Sequence, residues 1–241
     1  MANYAIYFSP TGGTKKVTDI LMDCLDQVTA VDITVKRQTV ELTEADICIV
    51  AVPSYGGRVP AIAAERIRAI RGNGAKAVAV VVFGNRAIDD TLAELKGELD
   101  DAGFVTVAAM EAVAEHSMIR DFGAGRPDVE DARQLRNFMA QIDYNRCVSA
   151  VPGVRPEKEA AGMALVPKAN KKCTNCGLCE KECSVGAISG NVADKKKCIG
   201  CMRCVSICPV DARDFHPIMK MVGKLAMKKV CGGRKNNKLY L

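Results

Sequence analysis

The residues able to do chemistry in this 241-residue chain are concentrated between Cys173 and Cys208. Four cysteines spaced Cys173-x-x-Cys176-x-x-Cys179-x-x-x-Cys183 recur twenty-five residues later as Cys198-x-x-Cys201-x-x-Cys204-x-x-x-Cys208-Pro209. Eight of the chain's twelve cysteines lie here, with no histidine among them. Three thiolates two residues apart can point inward round one iron–sulfur cubane, which then needs one more ligand from elsewhere. In the two-cluster arrangement the fourth cysteine of each run closes the other run's cluster. That assigns Cys173, Cys176, Cys179 and Cys208 to one [4Fe–4S] centre, and Cys198, Cys201, Cys204 and Cys183 to a second. The alternative is a pair of zinc sites, since Cys-x-x-Cys pairs hold Zn²⁺ tetrahedrally. A third cysteine after two further residues, twice over, gives zinc no benefit and suits a cubane.

From about Asn170 to Arg213 the segment resembles a bacterial-type two-cluster ferredoxin. Cys183-Ser-Val-Gly-Ala-Ile188 echoes Cys208-Pro-Val-Asp-Ala-Arg213, which marks an internal duplication. Ser184 stands where that family usually has proline; it shapes the turn after the ligand and leaves the ligand set alone. The resemblance implies a small α+β domain with two [4Fe–4S] clusters. Such a domain is held together largely by its clusters, because metal-binding free energy becomes folding free energy.

A second constellation lies near the N-terminus. The β-rich run Asn3–Phe8 feeds Ser9-Pro-Thr-Gly-Gly-Thr14, and Val17, Ile20, Leu21 and Leu25 then recur at helical spacing. A strand running through a Gly/Thr loop into a helix N-terminus makes an anion cradle of free backbone N–H groups and hydroxyls. The loop is neither a Walker A sequence nor the dinucleotide Gly-x-Gly-x-x-Gly. With hydroxyls at Ser9, Thr11 and Thr14 around Gly12 and Gly13, it resembles the FMN phosphate loop of flavodoxins.

That resemblance spans roughly residues 3–142 and implies that the loops after the third and fourth strands flank a flavin ring. The first reads Pro53-Ser54-Tyr55-Gly56-Gly57-Arg58-Val59-Pro60. Tyr55 would stack on the isoalloxazine face. Gly56 and Gly57 allow a backbone that changes conformation, as the matching flavodoxin peptide does to bond the flavin N5 on one-electron reduction. A plain turn is the other reading of Tyr-Gly-Gly. The second loop is Phe83-Gly84-Asn85-Arg86. Asn85 can donate and accept along the pyrimidine edge, and Arg86 would lie near the N1/C2 carbonyl or else in solvent. His116, after the fifth strand, is either a proton relay to the flavin or a satisfied loop histidine.

Positioning these loops requires a scaffold, and the pattern supplies one. Strands are expected at Val28–Val35, Asp46–Val52, Ala77–Phe83 and Phe104–Ala109 besides the first. Helices are expected from Pro60 to Ile70, Asp89 to Ala102 and Asp128 to Ile142. Continuous apolar runs such as Ile47–Val52 mark strands buried on both faces of a parallel sheet. The fold class is therefore α/β: a flavodoxin-like doubly wound five-stranded parallel sheet, with ligands at the strands' carboxyl ends, followed by the small two-cluster domain. Residues 1–145 form the FMN-binding domain, 146–169 a linker with Pro152, Pro156 and Pro167, 170–213 the ferredoxin-like domain, and 214–241 a basic tail. In the tail Ile218, Met221, Val222, Leu225 and Met227 share one helical face with lysines opposite. That suggests a helix packed across either domain, or a docking surface for an acidic partner. Cys24 and Cys48 read as small hydrophobes, and Cys147 and Cys231 as free thiols.

Charge is divided unevenly. Residues 1–145 carry 15 Lys and Arg against 21 Asp and Glu, a net of −6; residues 146–241 carry 19 against 7, a net of +12. Four thiolates make each cubane anionic, so part of the basic excess compensates the clusters. Aromatic residues interleaved with basic ones, the platform for single-stranded nucleic acid, are nearly absent, which argues against nucleic acid as a partner. No run is long and apolar enough for a membrane span, and no signal peptide is expected. Cysteine ligands in a metal-like spacing point to a reducing cytoplasm. The expected function is electron transfer between two [4Fe–4S] clusters and FMN, as a low-potential carrier for a partner oxidoreductase. The alternative is an FMN-dependent reductase acting on a small acceptor such as a quinone or flavin. A nicotinamide fingerprint is lacking, which argues against direct NAD(P)H oxidation.

Overall fold

A computed structural model describes residues 1–157 and 165–241. The N-terminal half alternates strand and helix: β1 (Asn3–Tyr7), α1 (Gly13–Met22), β2 (Val28–Asp32), β3 (Ile47–Pro53), α2 (Ala61–Arg68), β4 (Lys76–Phe83), α3 (Thr91–Asp101), β5 (Val105–Val113) and α4 (Val129–Met139). The five strands are parallel in the order β5-β4-β3-β1-β2. This is the flavodoxin-like order, whose ligand crevice opens where the winding reverses, at the carboxyl ends of β1 and β3.

Both faces of the sheet are covered, so successive residues of β3 and β4 enter opposite cores. Val50, Val52, Ala79 and Val81 pack with Ile67, Leu92, Leu95 and Leu99 of α2 and α3. Ile49, Ala51, Val78 and Val80 pack with Val17, Leu21 and Leu135 of α1 and α4. That is why these strands read as unbroken apolar runs.

The ferredoxin-like part contains β6 (Lys168–Ala169), α5 (Leu178–Lys181), β7 (Ile188–Ser189), β8 (Val192–Ala193), α6 (Arg203–Ser206) and β9 (Arg213–Asp214). β6 pairs antiparallel with β9, and β7 with β8. The duplication extends to the backbone. Left-handed residues fall at equivalent places in the two runs: Asn175 and Gly200, Gly177 and Met202, Gly186 and Asp211. Its buried apolar side chains are few, among them Ala187, Ile188, Met202 and Ala212, so a cluster-poor form has little core to rely on.

The tail differs most from expectation. After α7 (Pro217–Cys231) the chain adds β10 (Lys238–Tyr240), antiparallel to β5, making the sheet six-stranded instead of five. A polar lock holds it there. Asn237 accepts from Val113 N–H at 2.9 Å and donates to Asp131 and Gln134, each at 2.9 Å. Asp131 is also paired with the buried Arg126, while Arg234 pairs with Asp128 at 2.6 Å. The apolar stripe of α7 is turned the other way round from a packed helix. Ile218, Met221, Val222 and Leu225 are 52–66% exposed, while Met227, on the opposite side, lines the cleft and Cys231 at the end of the helix is buried.

Within the expected linker, residues before the undescribed segment 158–164 run over the sheet domain. Val148 N–H donates to Thr106 O at 2.9 Å, and Arg155 pairs with Asp101. Three contacts seat the ferredoxin-like part on the sheet domain's crevice side. Arg66 donates to the carbonyls of Ile33, Thr34 and Val35 and, at 2.6 Å, to that of Ser184. Arg203 and Ser206 reach the Pro10 carbonyl at 3.4 and 3.5 Å.

Candidate redox sites

The crevice at the carboxyl edge of the sheet is a cleft of about 310 Å³. Its floor is the phosphate-type loop, with Thr11, Gly13 and Thr14 facing in beside Pro10. Gly12 sits in the left-handed region (φ 87°) at the start of α1, and no side chain caps that helix. The free N–H groups and partial positive charge of an uncapped helix start are suited to a phosphate. Ser9 does not line the cleft; its Oγ accepts from Lys15 N–H at 2.8 Å and so holds the loop against the helix. Gly12 lies outside the lining as well.

Pro53, Ser54, Tyr55, Gly56 and Gly57 form one wall. Tyr55 and Arg58 exchange backbone hydrogen bonds at 2.9 and 3.2 Å. Gly56 (φ 62°) and Gly57 (φ 82°) between them make a two-residue turn that demands φ > 0 twice. A Cβ on Gly57 would come within 2.3 Å of the Asp89 carboxylate. The glycines thus meet a turn requirement, the plainer of the two readings, while still presenting the turn to the cleft. Glu94 anchors the hairpin by receiving Arg58 in a two-pronged pair and Val59 N–H at 2.7 Å.

Gly84 and Arg86 line the opposite wall. Asn85, expected at a flavin edge, is occupied elsewhere. Its amide donates to the carbonyls of Cys231 and Gly233, both at 2.7 Å, and accepts from Lys235 N–H. With both N–H donors taken by the tail, Asn85 has no donor left for a pyrimidine edge and holds the loop to the tail. Arg86 pairs with Asp89, which offsets part of its charge. His116 lies against Gly84, and its Nδ1 accepts from Met118 and Ile119 N–H at 3.2 and 3.1 Å. Burial, then the nearby Arg86, lower its pKa. The ring is therefore a neutral donor through Nε2–H, a tautomer assigned from these bonds.

The cysteines gather into two rings. Cys173, Cys176, Cys179 and Cys208 surround one small cavity, and Cys183, Cys198, Cys201 and Cys204 another. All eight are free thiols. In each ring the four cysteines line a cavity, an arrangement that suits the ligands of a multi-iron cluster. The rings are alike in detail, since Ala187 N–H donates to Cys183 Sγ and Ala212 N–H to Cys208 Sγ, each at 3.2 Å. Burial pushes the Cys201 thiol up to about 12 and Cys204 to about 11; a bound cation would favour their thiolate forms. Arg213, buried at the first ring, has an Nε–H with no acceptor among the protein atoms. An orphaned buried donor facing four thiols fits a cluster whose inorganic sulfides accept.

Residues 168–189 and 192–214 each match the 4Fe-4S binding domain family. Ferredoxin-2 of Chlorobaculum tepidum is 42% identical over 50 residues, covering 17% of this chain and 81% of that protein. The chain belongs to the 4Fe-4S ferredoxins. A domain of flavodoxin-like fold precedes the ferredoxin part in the same chain. A subunit of the ion-translocating oxidoreductase complex of Pectobacterium carotovorum is 30% identical over 129 residues, or 45% of this chain. The chain spans 66% of the length of that relative. Among solved structures, an archaeal flavodoxin aligns at TM-score 0.43 with 15% identity, over 58% of this chain and 94% of its own. A flavodoxin from Streptococcus pneumoniae TIGR4 aligns at TM-score 0.41 with 20% identity, over 58% and 97%.

Most of the flavin-site residues expected from sequence share the one cleft, and all eight cysteines fall into the two rings. Sequence reasoning missed Gly200 and Met227, which close the cleft from the ferredoxin domain and α7. Neither carries a local signal, because each arrives through the docking of one part on another. Among the described residues no helix is long and apolar enough to cross a membrane.

Proposed function

We propose that the protein carries electrons between an external redox partner and FMN in the cleft through two [4Fe–4S] clusters, one in each cysteine ring. The observation that carries this reading is the position of Cys201. Its ring adjoins the flavin cleft, Gly200 lines that cleft, and the Tyr55 hydroxyl reaches the Cys201 carbonyl at 3.4 Å. The second ring, with Cys176 exposed, faces outward to a partner. Clusters supply single-electron steps and flavin can take one electron or two; the chain's part is to hold the centres close and the water out. Arg66, Arg203 and Ser206 fix the separation by clamping the two domains. This replaces diffusion between separate carriers with a constant effective concentration.

The cleft favours a carrier over a reductase for small acceptors. Ligand sites run from roughly 300 to 1,000 Å³, and about 310 Å³ leaves little room for a substrate stacked on the ring. The relationship to a Pectobacterium complex supports a partner within a larger redox assembly. The outward stripe of α7, flanked by Lys228 and Lys229, is the face we assign to that partner. Anaerobic purification followed by metal, acid-labile sulfide and flavin analysis tests the reading, together with a redox titration followed by visible absorbance and EPR. Two clusters' worth of iron and sulfide and one FMN per chain are expected. A colourless protein, or one holding zinc without sulfide, overturns it.

A further inference from the structure

Among the described residues, the hydrogen bonds that join the ferredoxin-like part to the sheet domain converge on one cysteine ring. The Cys201 carbonyl accepts from the Tyr55 hydroxyl at 3.4 Å, and the Ser184 carbonyl from Arg66 at 2.6 Å. The Arg203 guanidinium and the Ser206 hydroxyl reach the Pro10 carbonyl at 3.4 and 3.5 Å. Each of these groups stands within two residues of Cys183, Cys201 or Cys204, thiols of the second ring. Ile199, between Cys198 and Cys201, packs against the core formed with α2 and α3, and Gly200 lines the cleft.

Little besides the ring holds these groups in place. The stretch 199–206 contains only the four-residue helix α6 and turns through the left-handed Gly200 and Met202. Cys183 lies on a separate stretch, so a group bound by all four thiols would tie the two together. In so small a core, metal-binding free energy becomes the free energy of local order. Arg203 carries that order to the sheet domain. Its Nε donates to the Glu182 carbonyl at 3.0 Å, Nη2 pairs with the Glu182 carboxylate, and Nη1 turns to Pro10. Glu182 offsets its charge, which leaves Arg203 a positional part. Pro10 belongs to the phosphate-type loop, next to Thr11.

We propose that the second ring, once filled, is a structural part of the flavin site. It holds residues 199–206 against the phosphate-type loop and the Tyr55 turn, with Arg203 as the positioning residue. FMN therefore binds tightest to a chain whose second cluster is in place. This rests on the reading of the cleft as an FMN site and of the rings as [4Fe–4S] sites. The coupling is a binding free energy shared between two sites, and such couplings are typically about 5–150-fold in affinity. The first ring takes part in none of these contacts and has no comparable hold on the cleft. The consequence is an order of assembly: a chain without its clusters retains FMN poorly, and flavin is kept where electrons can reach it.

The test is an anaerobic fluorescence titration of the deflavinated full chain with FMN, with iron and acid-labile sulfide measured on each sample. Wild type, Cys204→Ala, Cys176→Ala and Arg203→Met are compared, the first and last also after a chelator has removed their iron. Iron removal should weaken FMN binding to wild type about tenfold. Cys204→Ala should lose about as much, while Cys176→Ala, with the same iron left, should lose no more than about twofold. Arg203→Met should keep both clusters, bind FMN about fivefold more weakly, and lose only about twofold more with its iron. That last ratio is the readout an arginine serving stability alone would not move. Wild-type affinity indifferent to iron overturns the proposal, and so do equal losses in the two cysteine variants. Should either cysteine variant keep both clusters or lose both, Arg203→Met decides. Wild-type affinity with its clusters present, or a further loss of about tenfold on their removal, then overturns the proposal. A wild-type chain that takes up no FMN even with its clusters, or no iron and sulfide, instead defeats the reading of the sites themselves.

Discussion

The Tyr55 hydroxyl lies 3.4 Å from the carbonyl oxygen of Cys201, so a wall residue of the cleft touches the backbone of a cysteine in the second ring. Burial, with Cys201 close by, keeps the phenol's pKa well above its usual value, and it stays neutral. The long hydrogen bond contributes little by itself; the aromatic body filling the gap matters more. Tyr55→Phe should therefore leave FMN affinity within about threefold of wild type, the loss expected from one weak bond at roughly 0.5 kcal/mol. Tyr55→Ala should weaken FMN binding about tenfold, given roughly 0.5–1.5 kcal/mol for an aromatic contact beyond its area, and slow flavin reduction by the clusters. Fluorescence titration and stopped-flow absorbance measure the two effects. Equal behaviour of the two variants would remove Tyr55 from the path.

Thr11 and Thr14 face the cleft from the loop opening α1. Hydrogen bonds to a charged phosphate are worth roughly 1.5–3 kcal/mol each. The double change Thr11→Ala with Thr14→Ala should thus lower FMN affinity about a hundredfold or more, with the clusters' iron and sulfide unchanged. Calorimetric FMN titration of deflavinated protein checks the first statement and iron analysis the second. Undiminished flavin affinity would mean that this loop does not hold the phosphate.

Gly84 approaches His116 too closely for any side chain. A Cβ there would stand 2.8 Å from both Cα and Cδ2 of the histidine. Either the strand end or the 115–119 loop must move, and overpacking of this kind costs roughly 1–3 kcal/mol. Gly84→Ala should lower the urea midpoint of the flavodoxin-like domain and weaken FMN binding together. Retained stability with full FMN affinity would show the loop yielding freely.

The sequence carried the cysteine rings almost completely, because thiolate spacing encodes cluster geometry locally and the duplication repeats it. It carried the parallel sheet nearly as well, because strands covered on both faces must be apolar throughout. What it could not carry depends on contact between distant segments. Asn85 reads as a binding residue until the tail claims its amide, and β10 is three residues whose pairing partner lies more than a hundred positions earlier. The α7 stripe shows the limit of periodicity. Ile218, Met221, Val222 and Leu225 do share a face, yet periodicity says nothing about which way that face points.

The tail lock supplies an acid-sensitive element. Burial acts to raise the pKa of Asp131, but hydrogen bonds from Arg126, the Asp128 cap and Asn237 outweigh it and leave the value lowered. Asp128 is lowered too, chiefly by Arg234. Carboxylates whose folded pKa lies below the unfolded value of roughly 3.9 bind fewer protons in the folded state. Their stabilisation is therefore fully present above about pH 4 and is lost as pH falls through the folded values. Amide exchange at Leu239 and Tyr240 should stay slow from neutral pH down to about 4, once corrected for intrinsic rates, and quicken below it, before the β1–β5 amides follow. Asp131→Asn removes one partner from a pair in which Arg126 is 6% and Asp131 0% exposed. It should cost about 3–5 kcal/mol, the penalty of a stranded buried charge. It should also free β10 at neutral pH and, through Asn85, loosen the 84–86 wall of the flavin cleft. Exchange that stays slow in Asp131→Asn at pH 7 would show β10 held by its backbone pairing to β5 alone.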